Sequence, residues 1–307
     1  MKKITIIIPS YNEEEVLNLF YEEVKNYLID DYQFYLLFVN DGSKDRTYHI
    51  IKELEKKDER VRYISFSRNF GKEAAMYAGL IGAKELDSDA AIFIDADLQD
   101  PPALIVEMLK HYEAGYKHIY AKHKTRAGES KLKTFFALKF YKVYAKLTND
   151  RNMAQGARDF CLMDRKVIDA FLSIKDYRRF TKGIFSWVGF EKKCIEFDYV
   201  PRVAGTTKWS FIKLFKYAIN GIRQFSHAYL LVPKLMILLS SLFLIFDQVY
   251  TIINKNFSYR LLAFEIFIVM VFVGLYFIID LIYEVRDQNL NRPIYIVEDT
   301  NIQNEGK

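Results

Sequence analysis

The sequence predicts a doubly wound α/β domain followed by an interfacial helix and a two-helix transmembrane hairpin. Three observations predict it. Short apolar or β-branched runs alternate with amphipathic stretches through the first 120 residues, as strands do when helices cover both faces of a parallel sheet. Nothing before residue 230 is apolar for long enough to cross a bilayer, whereas residues 230–253 and 261–283 are, given about 1.5 Å per helical residue and about 30 Å of hydrocarbon. Finally, 51% hydrophobic and 16% aromatic residues against 27% charged exclude intrinsic disorder, because that much apolar surface offsets the chain entropy.

The strands read in order are residues 4–8, 34–39, 61–66, 90–94 and 118–121. Helices are expected over 13–28, 45–57, 71–86 and 102–112; in the first, Val16, Leu19, Phe20, Val24, Tyr27 and Leu28 fall at helical spacing. Two later segments mix aromatic and basic residues. Residues 131–146 set Phe135, Phe136, Phe140, Tyr141 and Tyr144 among Lys133, Lys139, Lys142 and Lys146. Residues 210–226 set Phe211, Leu214, Phe215, Ala218, Ile222 and Phe225 among Lys213, Lys216 and Arg223. Both patterns suit a helix lying in a membrane interface, and the second also suits a core helix of the soluble domain.

The chain therefore divides into an α/β domain over 1–208, a juxtamembrane helix over 209–228, a hairpin over 229–284 and a tail over 285–307 that reads as loose from residue 289. Lys234 and Asp247 interrupt the first apolar segment, and Glu265 and Asp280 the second, leaving uncharged cores at 235–246 and 266–279. Cores this short also occur in buried helices of soluble bundles. Lys208, Lys213, Lys216, Arg223 and Lys234 precede the hairpin, against Lys255 and Arg260 in its link, so the positive-inside bias puts the α/β domain in the cytoplasm. The apolar run after Met1-Lys2-Lys3 is about five residues long, shorter than a secretory h-region. A net charge of +5, from 44 Lys and Arg against 39 Asp and Glu, is too small to point to nucleic acid. Cys161 and Cys194 make neither a disulfide framework nor a zinc spacing.

In doubly wound sheets, ligands bind beyond the carboxyl ends of the strands. The residues there are polar: Pro9-Ser10-Tyr11-Asn12-Glu13, Asn40-Asp41-Gly42-Ser43-Lys44-Asp45-Arg46-Thr47, Ser67-Arg68-Asn69-Phe70-Gly71-Lys72, and Asp95-Ala96-Asp97-Leu98-Gln99-Asp100. Neither a G-x-G-x-x-G nor a Walker-type loop is present, so the ordinary dinucleotide and P-loop readings fail. Asp95 and Asp97 lie two apart at a strand end. If the strand persists, both carboxylates leave one face and can share Mg²⁺ or Mn²⁺, with Gln99 adding a neutral oxygen and a diphosphate completing the shell. The same residues also suit a turn or a helix start, since Pro101-Pro102 follows Asp100.

Taken together, these four segments, with Val39 and Glu73 at their flanks, closely resemble the family 2 inverting glycosyltransferases. Within them the match is to the polyprenyl-phosphate glycosyltransferases, relatives of dolichyl-phosphate mannose synthase and bactoprenol glucosyltransferase. The resemblance implies a GT-A type nucleotide-sugar-binding fold, and inverting transfer of one hexose, most often from UDP-glucose, to undecaprenyl phosphate at the bacterial inner membrane. It implies Pro9, Tyr11 and Glu13 at the nucleoside, Asp41 at the base, and Lys72 and Asp95 on the nucleotide sugar. Asp95, Asp97 and Gln99 match the metal and diphosphate motif, and Asp159, in Gly156-Ala157-Arg158-Asp159-Phe160, matches the residue usually called the catalytic base. Arg178-Arg179-Phe180 through Lys182-Gly183 and Trp187 resembles the acceptor side, and Arg202 through Lys208-Trp209 the basic loop beside the membrane. A homo-oligomer, tetrameric in close relatives, is also implied.

The chemistry narrows these roles. A lipid phosphate has a second pKa of about 6, so its oxygen is already mostly ionised at neutral pH. Asp159 is then expected to orient the acceptor or nearby cations, with proton removal secondary. Two dianions must also be brought together, and Arg126, Lys131, Arg178, Arg202 and Lys208 are the candidates for the acceptor phosphate, Arg through its paired donors. Two rivals remain: a glycosyltransferase with a polysaccharide or other non-lipid acceptor, and a noncatalytic nucleotide-sugar-binding membrane protein.

Overall fold

A computed structural model of the protein describes residues 1–124, 131–148, 156–177, 179–201, 211–226, 231–254 and 259–302. In chain order its strands are β1 (Lys2–Ser10), β2 (Tyr32–Asn40), β3 (Val61–Phe66), β4 (Ala90–Phe93), β5 (His118–His123), β6 (Ala157–Asp164), β7 (Lys192–Phe197) and β8 (Val297–Thr300). The helices are α1 (Leu17–Lys25), α2 (Thr47–Lys57), α3 (Lys72–Glu85), α4 (Leu104–Glu113), α5 (Lys131–Thr148), α6 (Arg165–Ser173), α7 (Thr181–Trp187), α8 (Phe211–Phe225), α9 (Leu231–Asn254) and α10 (Tyr259–Asn289).

Among the described residues the eight strands form one sheet in the order β7-β5-β6-β4-β1-β2-β3-β8. It is mostly parallel; β6 runs antiparallel to β4 and β5, and β8 antiparallel to β3. The central strands β1 to β4 are largely apolar because both faces are covered. Ile4, Ile6 and Ile8 face α1, α2 and α4, whereas Ile7, with Leu37, Val39 and Phe93, faces α3 and α6, the two-residue period of a pleated strand. Thr5 also lies buried, its hydroxyl satisfied by Ser88 Oγ at 2.6 Å. Helix α3 carries small residues toward the sheet. A Cβ on its Gly79 would lie 2.2 Å from Ile7 Cγ2, so glycine sets how closely α3 approaches.

The chain order reverses between β1 and β4, which opens a crevice at the carboxyl edge of those strands. Beyond the sheet, α5 and α8 meet in a small aromatic cluster of Tyr141, Tyr144 and Phe180 with Phe140, Ile222 and Phe225. Helices α9 and α10 pack on each other and present Leu235, Ile237, Leu238, Phe264, Phe272, Tyr276 and Ile282 outward, each more than half exposed. Among the described residues, one helical segment, Ile266–Tyr283, is long and apolar enough to cross a membrane, and none of it is buried. The apolar run of helix α9 is interrupted by Lys234, Ser240, Ser241 and Asp247. Asp247 is buried, in contrast to its exposed neighbours Phe246 and Val249, and Asp280 pairs with Arg223 of α8 at 2.8 Å.

The tail departs from the expectation of a loose end. Residues 297–300 add β8 to the free edge of β3, Tyr295 stacks on Phe66 at 4.7 Å, and Ile302 is buried beside Leu37 and Ile64. Asp299 accepts hydrogen bonds from Tyr48 and Tyr63. An edge strand with unpaired donors takes up such a segment whatever its side-chain pattern.

Candidate active site

Four loops converge at the carboxyl edge. The first two are zipped together: Ser43 Oγ accepts from the Asn12 amide at 3.0 Å, Asn12 Oδ1 from the Lys44 amide at 2.9 Å, and Thr47 Oγ1 from the Glu13 amide at 2.7 Å. Glu14 accepts from the Arg46 amide. These bonds occupy residues 12–14, and the helix expected from residue 13 begins at Leu17. Pro9, Tyr11 and Glu13 are half-buried along this wall.

Asp41 joins the second loop to the third. Its carboxylate accepts from the amides of Phe70 at 2.6 Å and Gly71 at 2.9 Å, and from Asn69 Nδ2 at 2.9 Å. Burial pushes it up to about 6 against the pull of these donors. Gly42 beside it has φ of 62°, and a Cβ there would lie 2.2 Å from the Arg68 carbonyl carbon; only glycine permits both. Asp41 thus fixes the start of α3, which carries Lys72.

The Asp95–Asp97 strand ends sooner than expected. β4 stops at Phe93, and Asp97 lies in a turn, its Oδ1 accepting from the Gln99 amide at 3.1 Å while Leu98 takes φ of 57°. Strand alternation therefore does not aim the two carboxylates; the turn does. The antiparallel register of β6, Phe93 opposite Cys161, sets Asp159 across from Asp95 two residues further on.

Lys72 bridges that pair. Its Nζ is 2.8 Å from Asp95 and 2.7 Å from Asp159. Lys182, at the start of α7, approaches Asp159 to 3.7 Å and donates to the Ala157 carbonyl at 2.9 Å. Burial alone would raise the Asp159 pKa, but the ammoniums of Lys72 and Lys182 outweigh it and hold the carboxyl well below the usual carboxylate range. Lys72 is correspondingly held above the ordinary lysine value by Asp159 and Asp95, against burial. Arg158 donates to the buried Asp100 at 2.7 Å, and burial pushes Asp100 up to about 6 in spite of it. Asp100 Oδ2 is buried without a hydrogen-bond partner among the described residues. Four carboxylates, Asp95, Asp97, Asp100 and Asp159, thus face three cations, Lys72, Arg158 and Lys182, in one crevice.

Lys182, Arg158, Asp100 and Glu73 were not singled out for this centre by sequence reasoning, because their partners are distant in the chain. Of the expected lipid-phosphate residues, Arg126, Arg178, Arg202 and Lys208 lie outside the described residues, and Lys131 opens α5. The neighbouring Arg179 is not a solvent-facing acceptor group: it is buried, donates to the Ile174 carbonyl at 2.7 Å, and lies over the rings of Tyr77 and Phe171.

Residues 5–172 match the family described as Glycosyl transferase family 2. The chain belongs to this family. It is a glycosyltransferase with a GT-A type α/β fold. Over 96% of its length the transferase is 37% identical to the uncharacterized glycosyltransferase YkcC of Bacillus subtilis, covering 93% of that protein. Over 73% of its length it is 39% identical to the prophage bactoprenol glucosyl transferase homolog of Escherichia coli, covering 72% of that protein. A solved structure of glucosyl-3-phosphoglycerate synthase from Mycobacterium tuberculosis superposes with a TM-score of 0.49 at 16% identity, over 73% of this chain and 80% of that one.

The donors in the crevice are hard oxygens, which suit Mg²⁺ or Mn²⁺. Among the described residues there is no group of three or more Asp, Glu, His or Cys placed to hold an ion. Asp95, Asp97 and Gln99 offer oxygen donors of that kind at one turn, with Asp95 held by Lys72 and Asp97 by the Gln99 amide.

Proposed function

We propose that the protein transfers one hexose from a nucleotide sugar, UDP-glucose, to undecaprenyl phosphate, with inversion to a β linkage, at the cytoplasmic face of the bacterial inner membrane. The observation that carries the lipid acceptor is an unburied apolar helix, α10, joined by the Arg223–Asp280 pair to α8, whose Phe225 packs against Gly183 beside Lys182. The likeness to bactoprenol glucosyl transferases supports the same acceptor.

Connectivity supports reading α9 and α10 as a hairpin. Helix α8 before it and β8 after it are both built into the α/β domain, so the chain between them must cross a bilayer an even number of times. If α10 spans, α9 is the other crossing, with Asp247 turned away from lipid as an intramembrane acid must be. The protein is then multi-pass with its catalytic domain on one side.

Asp95 and Asp97, with Gln99, would hold a divalent metal, which when bound would stabilise the charge developing on the leaving diphosphate. Pro9, Tyr11, Glu13 and Asp41 form the nucleoside side of the crevice. Asp159 is a poor base, because the same two lysines that fix it keep it ionised. It suits a different task, holding Lys72 and Lys182 where two anions must meet. At about 4 Å each pair of like unit charges costs about 4 kcal/mol in a surface-like dielectric, and the two ammoniums oppose that repulsion. Arg126, Lys131, Arg178, Arg202 and Lys208 are assigned to the acceptor phosphate.

The test is a donor panel. Full-length protein in vesicles containing undecaprenyl phosphate is given radiolabelled UDP-glucose, UDP-N-acetylglucosamine, UDP-galactose or GDP-mannose, with and without Mg²⁺. Label entering the organic phase from UDP-glucose, and only with the metal, is expected; label from another donor alone corrects the sugar, and none from any donor removes the lipid acceptor.

A further inference from the structure

The two lysines beside Asp159 come from elements far apart in sequence, α3 and α7, yet one side chain links them. Glu73, next to Lys72, reaches across to α7, where its Oε2 accepts from the Thr181 amide at 3.0 Å and from the Thr181 hydroxyl. Thr181, next to Lys182, is buried. Each end of this clasp is thus one residue from a cation on Asp159, Lys72 at 2.7 Å and Lys182 at 3.7 Å.

The geometry points to Glu73 as a positioning residue for glycosyl transfer: its bonds to Thr181 hold Lys72 and Lys182 at a fixed separation on either side of Asp159. The clasp adds to the contact of Arg179, just before α7, with the Tyr77 ring of α3. A charged acceptor bonding two donors is among the stronger hydrogen-bond arrangements, and reacting groups misplaced by about 1 Å lose on the order of a hundredfold in rate. The inference rests on the proposed placing of Asp159 at the reacting centre.

The experiment measures turnover by the full-length protein in undecaprenyl phosphate vesicles with UDP-glucose, together with its melting temperature. Glu73→Ala is expected to lower kcat by about tenfold to a hundredfold while KM for UDP-glucose stays within about twofold. Glu73→Gln, whose amide oxygen can accept the same two bonds, is expected to recover to within about threefold of the parent. Adding Lys182→Ala to Glu73→Ala is expected to cost little beyond Lys182→Ala alone, because the clasp acts through that lysine. If Glu73→Ala melts too early to assay, Thr181→Val, which keeps the backbone bond, carries the same comparison. Unchanged kcat in Glu73→Ala or Thr181→Val, or losses that multiply in the Lys182 double variant, would overturn the inference. Full turnover in Asp159→Asn would instead overturn the reading of the centre on which it stands.

Discussion

Replacing Lys72 by Met keeps the aliphatic stem and deletes the ammonium between Asp95 and Asp159. At 2.8 and 2.7 Å, each attraction is worth about 6 kcal/mol gross at an effective dielectric of about 20, and the desolvation of the lysine cancels much of it. Removing one partner from a buried pair costs about 3–5 kcal/mol. Here the three side chains are 27%, 29% and 26% exposed and Lys182 remains near Asp159, so the lower end, about 3 kcal/mol, applies. For a chain of 307 residues that is a fall in Tm of about 5 °C at pH 7. The pH dependence has a definite sign. Asp159 titrates below its unfolded value, so its contribution is complete above about pH 4 and is lost as pH falls through the folded pKa. The gap between parent and Lys72→Met should therefore be widest near neutrality and narrow below about pH 4. Melting of the full-length protein across pH 3–7, with transfer measured at pH 7, is the assay. A variant that melts within 2 °C of the parent at neutrality and still transfers sugar would refute the bridging role.

Asp97→Asn keeps the turn bond to the Gln99 amide and loses the charge; transfer should fall by at least a hundredfold, and unaltered transfer with unaltered metal dependence would remove Asp97 from the site. Asp41 is raised to about 6, so the folded state binds its proton more tightly than the unfolded chain and its ionisation erodes stability as pH rises from about 4 to about 6; Asp41→Asn should flatten that part of the Tm profile. Ile302→Ala should cost about 2–4 kcal/mol by emptying the space beside Leu37 and Ile64, and an unchanged Tm would mean that the tail does not dock on the sheet.

The first five strands were legible because buried parallel strands are continuous apolar runs, as in Ile4 to Ile8. Strands β6 and β7 mix charged and apolar residues, and β8, Val-Glu-Asp-Thr, has no pattern at all; its pairing is imposed by the open edge of β3, a tertiary fact. The chemistry-bearing loops were legible for the complementary reason, since polar residues after apolar strands mark the crevice of a doubly wound sheet. The wiring among them was not. The Glu73–Thr181 clasp joins residues 108 apart, Arg158 and Asp100 are 58 apart, and Asp95 and Asp97 were expected to share a face only if the strand persisted, whereas it ends at Phe93 and a turn places Asp97. Arg179, in the segment that resembles the acceptor side, is spent on backbone carbonyls and aromatic rings inside the domain, a burial its polar surroundings in sequence do not reveal.

The most direct measurement is an experimental structure of the full-length protein in a lipid nanodisc with UDP-glucose and an unreactive undecaprenyl phosphate analogue. The predicted result places α9 and α10 within the bilayer and the acceptor phosphate beside Lys72, Asp159 and Lys182, with its oxygen about 3–3.5 Å from the sugar C1. An acceptor phosphate bound away from that centre, or α10 outside the bilayer, would contradict the account.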